Sequence, residues 1–238
     1  MESPAKSRDR VTENNALLRR IPFFASLSDD HLTRIQQIVR KRRFQKNEII
    51  LREENTSQFM YLVFSGRVKV VHQSESGKEH ILAFHKQGDY FGEMALLDGK
   101  TWPASVVAME DTEIGLLSKT DFEHTLLKDS AVVHQIVIML CARLRDSWMM
   151  LKVMGMSDAE QRVRAVIRQL ATLYGVRDRR GIIISIKLTH KDIGEYASVA
   201  RETVSRILKR FARDGEIEVL EGKYLLLKPE FAENVDFR

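Results

Sequence analysis

The chain has 238 residues, of which 30% are charged and 44% hydrophobic, and its formal net charge is +5 at pH 7. This composition is typical of a folded globular protein and excludes a disordered one, and the length allows two modest domains, each with its own core. No apolar run approaches the roughly 18 residues of a membrane span, and the first residues lack the apolar core of a signal peptide. We therefore expect a cytoplasmic protein with no membrane partner.

Cysteine usage limits the redox and metal chemistry of the chain. Cys141 is the single cysteine, which excludes intrachain disulfides and leaves a four-cysteine iron–sulfur cluster without ligands. Because Cys141 falls in an apolar stretch with helical spacing, we expect a packed thiol. No nucleophile–base pair, metal-ligand cluster or catalytic phosphate loop stands out, so the sequence does not predict an enzyme.

The first half of the chain changes from helical to strand-like patterns. Residues 1 to about 15 are polar and are expected to be loosely held, and short helices are predicted over 17–24 and 28–35, the second with Ser28 as its N-cap. From about 40 to 125, short apolar runs alternate with glycine-containing turns about every 8 to 12 residues, which favours a small barrel or roll. The clearest predicted strands are 59–64, 67–71, 81–84 and 114–117.

A long helix is predicted over residues 128–156. Apolar residues recur there in alternating steps of four and three, which is typical of a coiled-coil seam and predicts that two chains pair along it, although one core-facing helix can show the same face. Ser147 is the polar position of this seam. It either sets the register or marks a point where an effector in the roll touches the partner subunit. The apolar seam residues are Val133, Val137, Leu140, Leu144, Leu151 and Met154.

The C-terminal part has the pattern of a winged helix-turn-helix. After a break at 155–158, a helix is predicted over 159–174. A capping box of Thr189 and Asp192 then starts a short helix, and a turn of about three or four residues leads into a second one. Beyond that helix, two apolar strands flank a two-residue turn at 221–222, which favours a tight β-hairpin.

The second of these helices carries the residues that point to DNA. Arg201, Glu202 and Arg206 share one broad polar face. Arginine can donate two hydrogen bonds to guanine O6 and N7, and glutamate can accept one from cytosine N4. A solvated amphipathic helix would show the same charges, but the capped helix before it, the wing after it and the seven Lys or Arg against three acids over residues 187–213 favour DNA binding.

The order of these parts resembles the Crp–Fnr family of transcription regulators. The resemblance covers about residues 17 to 230, and its most specific segments are Phe91–Gly99 (FGEMALLDG) and Arg201–Arg206 (RETVSR). It implies an α+β protein with an N-terminal cyclic-nucleotide-binding-type β-roll (jelly-roll) over 1–127, a dimerisation helix over 128–156 and a C-terminal winged helix-turn-helix over 157–238.

The resemblance also implies roles for individual residues. Phe91–Gly99 looks like the cassette in which backbone amides and a glutamate hold a cyclic nucleotide, which assigns Gly92 and Glu93 to an effector pocket. Arg201, Glu202 and Arg206 would contact the bases of a TGTGA-like half-site, repeated in inverted order for a homodimer. Candidate phosphate contacts are Thr189 and Lys191. RNA polymerase is the protein partner that the resemblance implies. The alternative function is a nucleotide-binding regulatory module that acts on a protein partner, with the C-terminal domain serving only for docking; Arg201, Glu202 and Arg206 argue against it.

The chain departs from the family pattern in the DNA motif. The family often has Gly in the turn and Ser before the first arginine, where this chain has Ser198 and Ala200. A phosphate contact and a helix cap are therefore missing, which lowers the expected affinity without changing the expected sequence preference.

The departure in the cassette is larger. Members that respond to cyclic AMP carry Arg-Ser where this chain has Trp102-Pro103. Tryptophan has one N–H donor and no charge, and proline has no backbone N–H, so a buried phosphate would lack its charged partner. Cyclic AMP is therefore disfavoured as the effector, and Glu93 has an alternative partner in Arg143 on the long helix.

The two tryptophans suggest how the pocket differs. Trp102 lies in the cassette and Trp148 follows Ser147 on the long helix, regions that border the effector pocket in the family. Our hypothesis is an aromatic cavity that is either filled by its own side chains or suited to an uncharged, flat effector. The alternative is that the tryptophans only pack roll against helix. Haem is a weaker possibility, with candidate ligands at His72, His80, His85 and His134.

Overall fold

The computed structural model describes residues 15, 18–25, 27–56, 58–233 and 235. The chain divides into two compact units, Met1–Arg143 and Leu144–Arg238, and the boundary falls inside the longest helix. Of the N-terminal segment that was expected to be loose, only Asn15 is described, and Leu17 of the first predicted helix also lies outside the described residues.

The first unit is a β-roll of two four-stranded antiparallel sheets, with strand orders β1-β8-β3-β6 and β2-β7-β4-β5. Ser28 caps the helix that precedes the roll, as the sequence predicts, by accepting a hydrogen bond from the amide of His31. The elements of this unit are α1 (Asp29–Ile38), β1 (Arg40–Phe44), β2 (Ile49–Leu51), β3 (Phe59–Ser65), β4 (Arg67–Gln73), β5 (Glu79–Lys86), β6 (Tyr90–Phe91), α2 (Glu93–Asp98), β7 (Ser105–Ala108), β8 (Thr112–Ser118) and the start of α3 (Ser130–Met154). In addition, a 3-10 turn over Pro22–Phe24 lies in the first predicted helix, and short helical turns over Lys119–Asp121 and Phe122–Leu126 precede α3.

The four strands predicted from the sequence are confirmed as β3, β4, β5 and β8. Four further strands were not predicted. Three of them, β2, β6 and β7, have four residues or fewer. The fourth, β1, exposes four consecutive basic residues, Arg40 to Arg43, and shows no apolar alternation. The tight β3–β4 turn depends on Gly66, whose φ is 81° and where a Cβ would lie 2.4 Å from Thr112 Oγ1. The roll has one core between its sheets and a second core beneath α1 and α3.

The long helix α3 confirms the predicted element, with each end two residues shorter. Val132 and Ile136 are buried in the helical core of the first unit, and the seam residue Leu140 is partly buried against the same core. The seam residues Val137, Leu144 and Leu151 are 52%, 52% and 69% exposed in the single chain. Cys141 is also exposed. The prediction of a packed thiol is therefore wrong for the single chain, because Cys141 follows the seam residue Val137 by one turn and lies on the same open side.

No single helix among the described residues is long and apolar enough to cross a membrane. Only a bent pair, Lys119–Leu126 followed by Ser130–Met154, reaches the required length and composition, and its two parts meet at 118°.

The second unit contains the predicted winged helix-turn-helix. Its sheet has the order β11-β12-β10-β9, and the hairpin of β9 and β10 was not predicted. The wing connects its strands through the three residues Glu221–Lys223, with Gly222 at φ 76°, so the predicted two-residue turn is wrong by one residue. The elements after α3 are α4 (Ala159–Tyr174), β9 (Gly175–Asp178), β10 (Gly181–Ile184), α5 (His190–Ala197), α6 (Arg201–Arg213), β11 (Ile217–Val219) and β12 (Leu225–Leu227).

Candidate DNA interface and effector site

The first helix of the motif, α5, begins with the predicted capping box. The hydroxyl of Thr189 donates to Asp192 Oδ2 at 2.7 Å, and the Asp192 amide donates to Thr189 Oγ1 at 3.1 Å. Because the hydroxyl of Thr189 already donates its proton to Asp192, it can donate to a phosphate only if this hydrogen bond breaks. Lys191 is exposed and lies 3.3 Å from Glu195, one turn further along α5. Both residues remain predicted phosphate contacts.

The turn between α5 and α6 consists of Ser198, Val199 and Ala200, within the predicted length. Ser198 has left-handed backbone angles, φ 52° and ψ 45°, at the position where the family often has glycine. Ala200 is the N-cap of α6 and has the extended backbone that an N-cap needs, but its methyl group accepts no hydrogen bond. The structure therefore confirms the prediction that α6 lacks a side-chain N-cap.

The two faces of α6 follow the predicted pattern. Val204, Ile207 and Leu208 are buried in the second unit. Arg201, Glu202 and Arg206 are all exposed. Arg206 Nη2 is 3.3 Å from Thr203 Oγ1 on its own helix, and within the described part of the chain neither Arg201 nor Glu202 forms an ion pair. The three side chains are therefore exposed on the face of α6 opposite its buried face, and they remain predicted base contacts.

Contacts of two arginines, which the sequence did not predict, join α4 to α6 and to the residues just after it. Arg164 on α4 lies 4.3 Å from the ring centroid of Phe211 and 4.8 Å from that of Phe231, and it pairs with Glu216 just beyond α6. Arg210 on α6 and Glu160 on α4 form an ion pair that joins the two helices directly. Because these contacts join residues that are far apart in the sequence, no local sequence pattern predicts them. Together they hold α6 against α4.

In the roll, the cassette places a carboxylate in the interior. Glu93 has 0% exposure, and Arg143 donates from Nη1 to Glu93 Oε1 and from Nη2 to the carbonyl oxygen of Tyr90. Glu93 Oε2 has no hydrogen-bond partner among the described residues. Gly92 permits this geometry because its φ is 88° and a Cβ there would lie 2.8 Å from Tyr61 Cδ2. The structure thus joins two of the predicted pocket residues, Glu93 and Arg143, in a buried ion pair.

Trp102 is packed into the core between the two sheets. Its side chain is 4% exposed and belongs to the cluster that contains Tyr61 and Phe91. The backbone amide of Trp102 donates to Asn55 O at 3.0 Å, and its carbonyl accepts from the Glu54 amide at 2.8 Å. Its Nε1 is buried and has no partner within the described ranges. Trp102 therefore occupies space inside the roll with its own indole.

The other two predicted pocket residues lie on α3 in the second unit. Trp148 is 59% exposed, and Ser147 beside it is also exposed. Trp148 is thus available to a partner molecule, whereas Trp102 is not.

The histidines considered as haem ligands lie in different surroundings. His72 Nδ1 is 2.9 Å from Glu53 Oε1, and His80 lies opposite it on β5. His134 is exposed on α3. The side chain of His85 is 12% exposed. Burial, and then the nearby charge of Arg143, lower its pKa from 6.5 to about 3. Among the described residues, no three His, Cys, Asp or Glu side chains are placed to hold a metal ion.

Comparison with known proteins matches both units. Residues 41–129 match the family model of the cyclic nucleotide-binding domain, and residues 161–231 match that of the Crp-like helix-turn-helix domain. Over 213 residues the chain is 30% identical to the regulatory protein HlyX of Actinobacillus pleuropneumoniae, covering 87% of this chain and 85% of HlyX. The chain belongs to the Crp–Fnr family. It is therefore similar to DNA-binding transcription regulators that have an effector-binding domain.

Two further Crp–Fnr relatives cover most of the chain. The cyclic AMP receptor protein of Thermus thermophilus is 28% identical over 216 residues, which are 91% of this chain and 97% of that protein. The solved structure of a CooA mutant from Carboxydothermus hydrogenoformans is 26% identical, has a TM-score of 0.72, and covers 89% of this chain and 92% of that one. The predicted family and the predicted α+β fold class are thus confirmed.

Proposed function

We propose that this protein is a homodimeric transcription regulator that binds a TGTGA-like inverted repeat. The observation that carries the proposal is the exposed trio Arg201, Glu202 and Arg206 on α6. The opposite face of this helix is buried, and the Arg210–Glu160 ion pair and the contact of Arg164 with the Phe211 ring hold it to α4. Two arginines and a glutamate match the guanines and cytosines of such a half-site. RNA polymerase is the partner that family membership supports.

The dimer is supported by the exposed seam on α3. Val137, Leu144 and Leu151 expose large apolar side chains at coiled-coil spacing in the single chain. Pairing of two chains along this face would remove that surface from water. It would also present two copies of α6, as an inverted repeat requires.

The effector is not cyclic AMP in this proposal. Trp102 occupies the interior of the roll where a cyclic-AMP responder offers an arginine, and the carboxylate of Glu93 is already bound by Arg143. The residues present do not fit a cyclic phosphate, since no cation of the cassette replaces the missing arginine: Lys100, two residues before Trp102, is exposed. One relative is named a cyclic AMP receptor protein; our proposal for this chain is based on its own cassette residues.

The experiment is fluorescence anisotropy with a TGTGA palindrome and a scrambled duplex of the same composition. We expect Arg206→Gln to lose a specific base contact, which is worth about 1–3 kcal/mol, and so to reduce the preference for the palindrome about tenfold or more. Arg213→Gln removes the same charge from the exposed C-terminal end of α6 and should weaken both duplexes equally. Equal affinity of the unmodified protein for both duplexes would refute the DNA part of the proposal.

The effector part has its own readout. Adding cyclic AMP should leave the palindrome affinity unchanged, and the absorption spectrum of the purified protein should show no Soret band. A cyclic-AMP-dependent gain in affinity would overturn our interpretation of Trp102, and a Soret band would favour a haem-based sensor instead.

A further inference from the structure

A cavity of about 410 Å³ lies between α3 and α4 in the second unit. Met149 on α3 and Met156 just after it form one wall, and Ala165, Arg168 and Gln169 on α4 form part of the other. Its volume is within the range of small-molecule sites, roughly 300–1,000 Å³. Both walls belong to the same compact unit as the helix-turn-helix.

The chemistry of this cavity is apolar and cationic. The thioethers of Met149 and Met156 are polarizable and adapt to irregular shapes. The residues that line it, all of them described, include Arg164 and Arg168 and no carboxylate. The charge of Arg164 is compensated by Glu216 outside the cavity. Arg168 Nε donates to Phe231 O at 2.8 Å, and its guanidinium lies 5.7 Å from the centroid of the Phe231 ring. In the described part of the chain, its Nη groups form no hydrogen bond or ion pair. A guanidinium edge of this kind binds carboxylates through two hydrogen bonds.

We propose that this cavity binds a small organic anion with an apolar body, an aromatic or aliphatic carboxylate, whose charged group pairs with Arg168 and whose body packs on the methionines.

The cavity also lies next to a hydrogen bond that joins α3 to α4. Gln169 lines the cavity and donates from Nε2 to Asp146 Oδ1 on α3 at 3.0 Å. A ligand there contacts the hydrogen bond that joins α3 to α4, the helix on which α6 is fixed. The signal for DNA binding would thus enter beside the DNA-binding domain.

Cinnamate tests this site, with cinnamylammonium as a probe of similar shape and opposite charge. By isothermal titration calorimetry on the full-length protein without DNA, we expect cinnamate to bind with a Kd of about 1 mM or tighter. Cinnamylammonium should bind at least tenfold more weakly, because Arg168 repels it. Since the measurement needs no DNA, its failure is distinguishable from failure of the proposed function.

Variants locate the binding. Arg168→Gln removes the cation and Ala165→Phe fills the cavity, so each should weaken cinnamate binding at least tenfold, whereas Arg179→Gln removes a charge from the exposed β9–β10 turn and should leave it unchanged. Circular dichroism shows whether each variant is folded. No binding of cinnamate at several times the expected Kd, equal binding of cinnamylammonium, or unchanged binding in both cavity variants would overturn the proposal.

Discussion

The carboxylate of Glu93 depends on one partner for its compensation. It has no exposed surface, whereas the side chain of Arg143 is 28% exposed and can still reach water. Removing Arg143 leaves a buried charge unpaired, and removing the charge of Glu93 leaves a cation that water can solvate. The two substitutions should therefore destabilise the protein by different amounts. This difference distinguishes an ion pair that stabilises the fold from a glutamate whose main role is to bind a ligand.

We predict that Arg143→Met lowers the free energy of unfolding by about 3 kcal/mol or more, because it strands a buried charge. Glu93→Gln should cost less, and the double variant should regain part of the Arg143→Met loss. Urea denaturation followed by tryptophan fluorescence measures all three. Strictly additive losses in the double variant would mean that the two side chains do not interact.

His85 gives the first unit a predicted pH dependence. Burial and the charge of Arg143 lower its pKa to about 3, so below its ordinary pKa of 6.5 the unfolded chain takes up a proton that the folded protein excludes. Stability is therefore retained above pH 6.5 and lost as the pH falls from 6.5 toward 3. Asp89 Oδ2 lies 3.9 Å away, and burial raises the pKa of this carboxyl, which opposes the loss in acid.

A comparison with His85→Gln isolates the histidine from Asp89. Between pH 7 and pH 5 we predict that the unmodified protein loses about 2 kcal/mol of unfolding free energy more than His85→Gln does. Denaturation curves of both proteins at the two pH values give this difference. Parallel losses in the two proteins would show that His85 is protonated as readily in the folded state as in the unfolded chain.

At the scale of elements, the sequence predicted what local signals specify. The capping box of Thr189, the helix over 159–174 and the opposite faces of α6 follow from spacing alone. The hairpin β9–β10 was missed because its strands are four residues each and the first is rich in charge. The sequence does not predict whether Trp102 fills the roll or lines a cavity. Contacts between residues distant in sequence determine where this side chain packs, and local patterns carry no information about them.

The N-terminus of α6 is an element with an improvable cap. Ala200 already has N-cap backbone angles, φ −60° and ψ 141°, without a side-chain acceptor. We predict that Ala200→Ser raises the free energy of unfolding by about 1 kcal/mol, because the new hydroxyl oxygen can accept from a free amide of the first turn. Chemical denaturation measures the gain. Ala165→Ser, in the interior of α4, is the control and should give none.

At the scale of the whole molecule, the proposed output requires two chains. In the proposed function, one copy of α6 would contact one half-site. Affinity for an inverted repeat would then exceed affinity for a half-site only if both copies are held together, by factors that reach about 100 or more. The exposed seam on α3 is the surface in the described residues with the spacing to do this. A dimer along α3 would therefore present Arg201, Glu202 and Arg206 twice, as binding to a palindrome requires.

The seam can be changed by substitutions that leave the proposed DNA-contacting residues intact. Leu144 is 52% exposed at a seam position, and Ile138 is 46% exposed on the same helix, roughly 100° around the axis from the seam residue Val137. We predict that Leu144→Glu yields monomers in sedimentation equilibrium, because the charges would be buried opposite each other, and that it weakens palindrome binding at least tenfold with half-site binding unchanged. Ile138→Glu adds the same charge off the seam and should remain dimeric. If both variants dissociate equally, the pairing surface is not the seam, and if neither does, the two copies of α6 are held together elsewhere.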